Sequence, residues 1–260
     1  MYLFDSDMLK NRYLAEDIFH LRLTAGDDFL AAARPGRFVM LAPAGEALDP
    51  LLRRPFGIVR CGENWFEVVI KAVGRGTRRL AGSRAGERIS VHGPLGNGWP
   101  EIADQRSPLI LVAGGIGIAA IASVIFGCQA GEKQVLLYGA AGRSDLVLLD
   151  ELEAAGKGSL ETAVITDDGS SGRKGLVTEL LAEKLDEFPA SPVFACGPEP
   201  MLKGVQKVLQ EREAEGWLSL ENRMACGFGV CLGCVQETTD GTRAKVCTEG
   251  PVLPAGKVVF

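Results

Sequence analysis

Histidine is almost missing from this chain. Its 260 residues hold two, His20 and His92, which leaves little room for imidazole bases or histidine metal ligands. Positive charge is also short: the net charge is −5 and no basic run occurs, which argues against a nucleic-acid partner. No internal repeat or low-complexity segment is present, so arrays and flexible linkers are excluded. A secretory leader is lacking too, because Met1 to Lys10 carries two Asp and no apolar core. The expectation is a cytoplasmic protein whose thiols stay reduced. One stretch, Leu109 to Cys128, runs twenty residues without a charge, which is long enough to span a membrane. Gly114, Gly115 and Gly117 interrupt it after a short β-type run, Leu109 to Ala113. A buried parallel strand, a glycine turn and a buried helix are the better reading.

Cysteine, by contrast, is plentiful and patterned. Four of the seven fall as C-x4-C-x2-C-x12-C: Cys226, Cys231, Cys234 and Cys247. The first two intervals are those of plant-type [2Fe–2S] loops, followed by a more distant fourth ligand. Two sulfide-bridged irons need four thiolates converging from one side. Gly227, Gly229 and Gly233 would let the loop wrap such a group through unusual φ angles and close approach. A structural zinc is the competing use of four cysteines, although zinc sites usually come as two short cysteine knuckles. Here three thiols share one loop and the fourth stands alone. Cys61, Cys128 and Cys196 are scattered and read first as small buried hydrophobes.

With 47% hydrophobic residues the chain can fill two cores, and its length suits two domains plus an appendage. Residues 1–102 read as β-rich, with strands over Tyr13–Leu23, Arg37–Ala42, Gly57–Arg60, Trp65–Val73 and Glu87–His92 and one helical interruption at Thr77–Ala81. That spacing implies a small antiparallel barrel. Arg106-Ser107-Pro108 marks a boundary, after which strands and helices alternate: strands at 109–113, 134–139, 160–166 and 192–196, helices at 117–128, 145–155, 175–187 and 199–212. Alternation of this kind predicts a parallel sheet covered on both faces, with ligands at the strands' carboxyl ends. Residues 103–215 form this second unit and 216–260 the cysteine-bearing third. The glycines at 114, 115 and 117 fall short of the full G-x-G-x-x-G fingerprint, and no acidic residue follows about twenty positions on, so a standard Rossmann unit is not indicated.

Three turns in the first unit carry meaning by their order: Arg54-Pro55-Phe56-Gly57, Gly74-Arg75-Gly76-Thr77 and His92-Gly93-Pro94-Leu95-Gly96-Asn97-Gly98. With Gly114-Gly115-Ile116-Gly117 and Cys196-Gly197-Pro198-Glu199-Pro200-Met201, they resemble the ferredoxin–NADP⁺ reductase superfamily. The cysteine loop narrows this further. Over essentially its whole length the chain is similar to the electron-transfer subunits of class B dihydroorotate dehydrogenases.

The resemblance implies that Arg54 pairs with an FAD pyrophosphate and that Phe56 packs on the isoalloxazine ring. It places Val69, Ile70 and Lys71 along the flavin nucleotide and Gly76 and Thr77 at its phosphates. Pro55 and Gly57 complete the flavin motif, with Gly57 departing from the usual hydroxyl residue. Gly114, Gly115 and Gly117 would hold the nicotinamide nucleotide, where Ala120 departs from a common proline. Gly197 and Pro198 would bind that nucleotide, and Cys196 would lie over the nicotinamide as a catalytic residue. Cys226, Cys231, Cys234 and Cys247 would ligate the cluster. The implied partner is an FMN-containing catalytic subunit that oxidises dihydroorotate, in a heterotetramer of two copies of each, with NAD⁺ as acceptor. The same features occur in reductase subunits of sulfide dehydrogenase, bifurcating NADH-dependent ferredoxin–NADP⁺ oxidoreductase and hydrogenase.

Overall fold

A computed structural model describes residues 1–44, 49, 51–102, 107–128 and 132–260. The first unit opens with β1 (Tyr2–Ala15) and β2 (Ile18–Thr24), followed by α1 (Asp27–Ala32), β3 (Phe38–Pro43), β4 (Arg54–Cys61) and β5 (Trp65–Lys71). It ends with α2 (Arg75–Ala81) and β6 (Arg88–Leu95). The six strands close into an antiparallel barrel in the order β1-β2-β5-β4-β3-β6. β1 closes it by pairing with β6 through Tyr2–Asp7 and with β2 from Met8 onward. Inward residues such as Leu21, Leu41, Phe66, Val68 and Val91 are fully buried and fill the interior.

The sequence pattern merged two strands here. Tyr13–Leu23 is the end of β1 and most of β2, joined at Glu16-Asp17, where Asp17 turns the chain with φ 57°. Aspartate tolerates that left-handed geometry better than most residues. The first half of β1 escaped notice because its polar residues face solvent and leave few apolar inward positions. Even an inward position there is polar: Ser6 is fully buried, its hydroxyl donating to the Thr24 carbonyl at 2.8 Å.

The second unit holds β7 (Leu109–Gly114), α3 (Ile118–Phe126), β8 (Gln134–Ala140), α4 (Leu149–Ala155), β9 (Leu160–Thr166), β10 (Arg173–Lys174), α5 (Val177–Glu187), β11 (Val193–Cys196), α6 (Glu199–Glu211) and β12 (Gly216–Ser219). After it come β13 (Val235–Glu237), β14 (Arg243–Lys245) and β15 (Val252–Pro254). The main sheet runs β10-β9-β8-β7-β11-β12-β15, parallel up to β12, with β15 antiparallel at the edge. It therefore takes in Gly216–Ser219 and Val252–Pro254, two pieces on the far side of the boundary drawn at residue 215. The boundary at Arg106, like all of 103–106, lies outside the described residues. α3 and α4 cover one face and α5 and α6 the other. The charge-free stretch folds as β7, a single 3₁₀ turn over Gly115–Gly117, and α3. Among the described residues no helix is long and apolar enough to cross a membrane.

The barrel and the helical layer meet at an ionic hub. Glu67 of β5 is buried, 3% exposed, and its carboxylate accepts from Arg22 at 2.7 Å and from Arg60. His20 Nε2 stands 3.1 Å away, misaligned for a hydrogen bond. Burial opposes ionisation of Glu67, but His20, Arg60 and Arg22 outweigh it and hold the carboxyl at about 2. Arg12 carries the network across the interface, bonding His20 Nδ1 at 2.9 Å and Glu151 of α4.

Glu67→Gln leaves these cations without their carboxylate. The expected cost is about 3 kcal/mol, the low end for a broken buried pair because both arginines are about a third exposed. The folded carboxyl titrates below its ordinary value, so its contribution is complete above about 4.5 and fades as pH falls toward 2. Thermal melts from pH 7 to pH 3 check both points. The wild type should lose stability below about pH 4.5, and the variant should start lower and lack that part of the slope.

Candidate redox site

Two clefts and one cysteine loop make up the candidate site. The first cleft opens between the barrel, the start of α3 and the segment after β12. Arg54, Pro55, Phe56 and Gly57 line it from β4, Val69 and Lys71 from β5, and Thr77 from α2. Cys196 at the end of β11 and Gly117 form the opposite wall. Ile70, placed with its neighbours at the flavin, points the other way into the barrel core and is fully buried. The cause is strand alternation, which sends Val69 and Lys71 to one face and Ile70 to the other.

Gly76 is a cradle. A Cβ there would lie 2.2 Å from the Arg54 guanidinium carbon, so a larger residue would push the fork off the first turn of α2. Thr77 holds that turn, its hydroxyl accepting from the Gly74 amide at 2.9 Å. The residues of the cleft therefore fit a flavin nucleotide: a planar cation against a glycine turn for phosphates, and an apolar strand face for a ring system. The departures at Gly57 and Ala120 face each other, since a Cβ on Gly57 would sit 3.8 Å from Ala120 Cα, ordinary contact.

The second cleft lies at the carboxyl ends of the parallel strands, the usual ligand position in such sheets. Gly114, Gly115, Gly139, Asp167, Pro198 and Met201 are in its lining. Ile116 and Lys71 line both clefts, so the two adjoin there. Close packing accounts for Gly114 and Gly117, whereas Gly115 takes a left-handed φ of 49° in open space. A Cβ on Gly117 would fall 2.3 Å from the Cys196 carbonyl oxygen, and one on Gly114 would fall 2.3 Å from Met201 Sδ. Gly197 does not face the cleft but packs 3.0 Å from Gly114 Cα by the same measure. Of the two aspartates in the loop after β9, Asp168 is spent on its own turn. It accepts from the Ser170 hydroxyl at 2.6 Å and amide at 2.8 Å, which holds its carboxyl below the ordinary value. Asp167 reaches the cleft. Arg173 is engaged by Glu183 at 2.8 Å and Glu179 at 3.4 Å.

Cys196 is buried, and burial pushes its thiol up, reinforced by the charge of Glu221 and offset in part by Ser219. It stays protonated at neutral pH and cannot serve as a thiolate nucleophile. Cys61 and Cys128, grouped with it as buried hydrophobes, are only half-buried.

The four patterned cysteines fall into two hydrogen-bonded pairs, Cys247 with Cys234 and Cys231 with Cys226. The Gly229 amide donates to Cys247 Sγ at 3.1 Å, Cys247 N to Cys234 Sγ at 3.4 Å, Cys231 N to Cys226 Sγ at 3.5 Å and Gly233 N to Cys231 Sγ at 3.5 Å. Gly227 and Gly229 take left-handed φ of 80° and 83°. The third left-handed position is Leu232, φ 57°, and not Gly233. Cys234 and Cys247 are buried, whereas Cys226 is half-buried and Cys231 exposed. Burial works against the Cys226 thiolate, yet amides of Cys231, Phe228 and Val230 bring it down to about 6. Cys247 is pushed up to about 12 by burial and by Cys234 beside it, so ligation would have to displace its proton. Amides aimed at sulfur and one pre-ionised ligand fit an iron–sulfur group.

Comparison with known proteins decides the family. Residues 221–259 match the iron–sulfur cluster binding domain of dihydroorotate dehydrogenase B, and 111–207 match the oxidoreductase NAD-binding domain. The dihydroorotate dehydrogenase B (NAD(+)) electron transfer subunit homolog of Aquifex aeolicus (strain VF5) is 35% identical, covering 98% of each chain. The electron transfer subunit of Geobacillus sp. (strain WCH70) is 38% identical, covering 97% of each. The chain belongs to the dihydroorotate dehydrogenase B electron transfer subunit family. Among solved structures, a chain of the NADH-dependent reduced ferredoxin–NADP oxidoreductase, studied for flavin-based electron bifurcation, superposes with a TM-score of 0.83 at 29% identity, covering 98% of this chain and 90% of that one. A ferredoxin reductase of carbazole 1,9a-dioxygenase shares the fold at 20% identity and a TM-score of 0.71.

Sequence reasoning missed part of this family member's cleft wall. Phe38, Glu221, Met224 and Pro251 all line it. Met224 opens the cysteine stretch and Pro251 closely follows its last cysteine, but no motif assigns any of the four to this wall, and it is the sheet topology that carries them there. The continuation of β12 brings Glu221 and Met224, and its pairing with β15 brings Pro251.

Proposed function

We propose that this chain carries electrons from the FMN of a dihydroorotate-oxidising partner, through a [2Fe–2S] cluster and FAD, to NAD⁺ in de novo pyrimidine biosynthesis. The carrying observation is continuity. Cys234 and Cys247 share one apolar core with Phe38, Phe38 lines the first cleft, and that cleft adjoins the second at Ile116 and Lys71. Three sites in a row are what single-electron input and hydride output require. When bound, the flavin supplies the exchange between single electrons and a hydride, and the cluster supplies single-electron storage.

The protein's part is placement. Arg54 and Gly76 would hold the flavin phosphates, Phe56 and Val69 would line the place of its ring, and Gly114 and Gly117 would hold the nicotinamide nucleotide. Cys196, a neutral thiol, stands where the two would meet and excludes water. Asp167 at the cleft, with Arg173 committed to two glutamates, favours NAD⁺ over a nucleotide bearing a 2′-phosphate. Phe228, Val230 and Leu232 are 45%, 71% and 59% exposed beside the outer ligand Cys231. An apolar patch at the mouth of an electron path suits docking of a catalytic subunit, in an assembly of two copies of each chain in the cytoplasm.

The bifurcating oxidoreductase is the second reading, favoured by its superposition over nearly the whole chain. Neither reading has this chain oxidise dihydroorotate by itself, so the two share one test. Isolated chain given dihydroorotate and NAD⁺ should form no NADH; appreciable NADH would sink this division of labour.

A further inference from the structure

The turn after β6, Gly96-Asn97-Gly98-Trp99, is the one sequence motif that the site above does not use. Three parts of the molecule meet on it. Toward the barrel, the Trp99 amide donates to the Pro35 carbonyl at 3.0 Å, and Gly98, φ 82°, is packed so closely that a Cβ would lie 2.6 Å from the same oxygen. Toward the nucleotide sheet, the Trp99 ring stacks on Phe194 of β11 at 4.6 Å and 9°, and its Nε1 donates to the Ala120 carbonyl at 3.3 Å.

Toward the cysteine loop, Asn97 makes the turn's hydrogen bonds. Its amide donates to the Gly250 carbonyl at 2.8 Å. Its Nδ2 donates to the carbonyls of Glu249 at 3.0 Å and Val252 at 2.7 Å, and its Oδ1 accepts from the Val252 amide at 3.3 Å. All four bonds fall on residues 249–252. That span begins two residues beyond Cys247 and contains Pro251, part of the first cleft's wall. Gly96, φ 76°, presses on it from below, where a Cβ would sit 2.5 Å from Pro251 Cδ and 2.8 Å from the Gly250 oxygen.

We infer that Asn97 is a positioning residue for electron transfer between cluster and flavin: by tying the Cys247–Pro251 span to the barrel, it fixes the inner cluster ligand against the cleft wall. A carboxamide is the side chain for this task, since it offers donors and an acceptor in one plane for peptide groups running past it. Transfer between two fixed centres depends steeply on their separation, and misplacement by about 1 Å is enough to slow a positioned reaction by about tenfold or more. Asn97 lies at the surface, so its replacement opens no cavity.

The inference rests on the reading that the loop holds a cluster and the first cleft a flavin, and the experiment separates the two. Asn97→Ala and Asn97→Asp are prepared in the complete complex, and iron, flavin and the EPR spectrum of the reduced cluster are compared with wild type. NADH is then added in stopped flow, with rapid-freeze EPR following the cluster. Expected are unchanged cofactor content, an unchanged flavin-reduction phase, and a cluster-reduction phase slowed about tenfold in Asn97→Ala. Asn97→Asp should be slower still, because its carboxylate would face the carbonyl oxygens of Glu249 and Val252. Gly96→Ala, which displaces the same span from the other side, should show the same signature. Wild-type cluster reduction in both Asn97→Ala and Gly96→Ala would overturn the inference. Loss of iron from both would also overturn it, by making the clamp a requirement for assembly. A wild-type complex without iron or flavin would instead remove the underlying reading.

Discussion

Cys231→Ser should abolish dihydroorotate-driven NAD⁺ reduction while leaving NADH-driven flavin reduction close to wild type. The two half-reactions use different parts of the chain. Electrons from a partner must enter through the cysteine loop, whereas NADH meets the flavin where the two clefts adjoin. Cys231 is the ligand to choose because it is exposed. Its replacement disturbs no packing, unlike replacement of Cys234 or Cys247, which belong to the shared core. Serine is close in size but a poor ligand for iron, which prefers soft thiolate. The checks are iron content, the EPR signal of the reduced cluster and stopped-flow reduction by NADH. Survival of both activities would take the cluster off the electron path.

Gly117→Ala should do the reverse. Its Cβ would fall 2.3 Å from the oxygen and 2.5 Å from the carbon of the Cys196 carbonyl, and 2.8 Å from Gly197 Cα. All three are backbone atoms, so no side chain can swing away to relieve the clash. The turn and the end of β11 must separate, at a cost of about 1–3 kcal/mol for overpacking. The consequence for function is larger, because that separation widens the place where flavin and nicotinamide meet in the proposed electron route. NADH-driven flavin reduction is expected to fall about a hundredfold, with iron content unchanged. Gly57→Ala is the control, since its Cβ would make only ordinary contact with Ala120 at 3.8 Å. Equal losses in the two variants would show that steric closeness at Gly117 is not the cause.

The strands and helices of the nucleotide sheet were legible because their apolar runs are bounded by turn formers. Leu160–Thr166 was placed to the residue, and the helices of α5 and α6 to within two residues at either end. The cysteine loop was legible because ligand spacing is a local property. What escaped depends on partners distant in sequence. Glu67 reads as one polar residue within an apolar strand, and only closure of the barrel gathers Arg22, Arg60 and His20 around it. β12 and β15 are too short to show a period, and it is their pairing that carries Glu221 and Pro251 to the cleft. Asn97 looks like an ordinary turn former, because its four bonds are made to a segment about 150 residues away. Ile70 shows the opposite failure, for the motif marked the strand correctly but could not say which face each residue takes.

The most direct test of the electron route is made on the assembled protein. A tagged chain is purified anaerobically from its native cells, the flavoprotein that accompanies it is identified, and the complex is assayed for dihydroorotate-dependent NADH formation. The account predicts an FMN-containing partner and NADH formation that requires both dihydroorotate and that partner. A different redox partner, with no dihydroorotate activity in the complex, would contradict it and assign these same clefts and cysteines to another electron-transfer assembly.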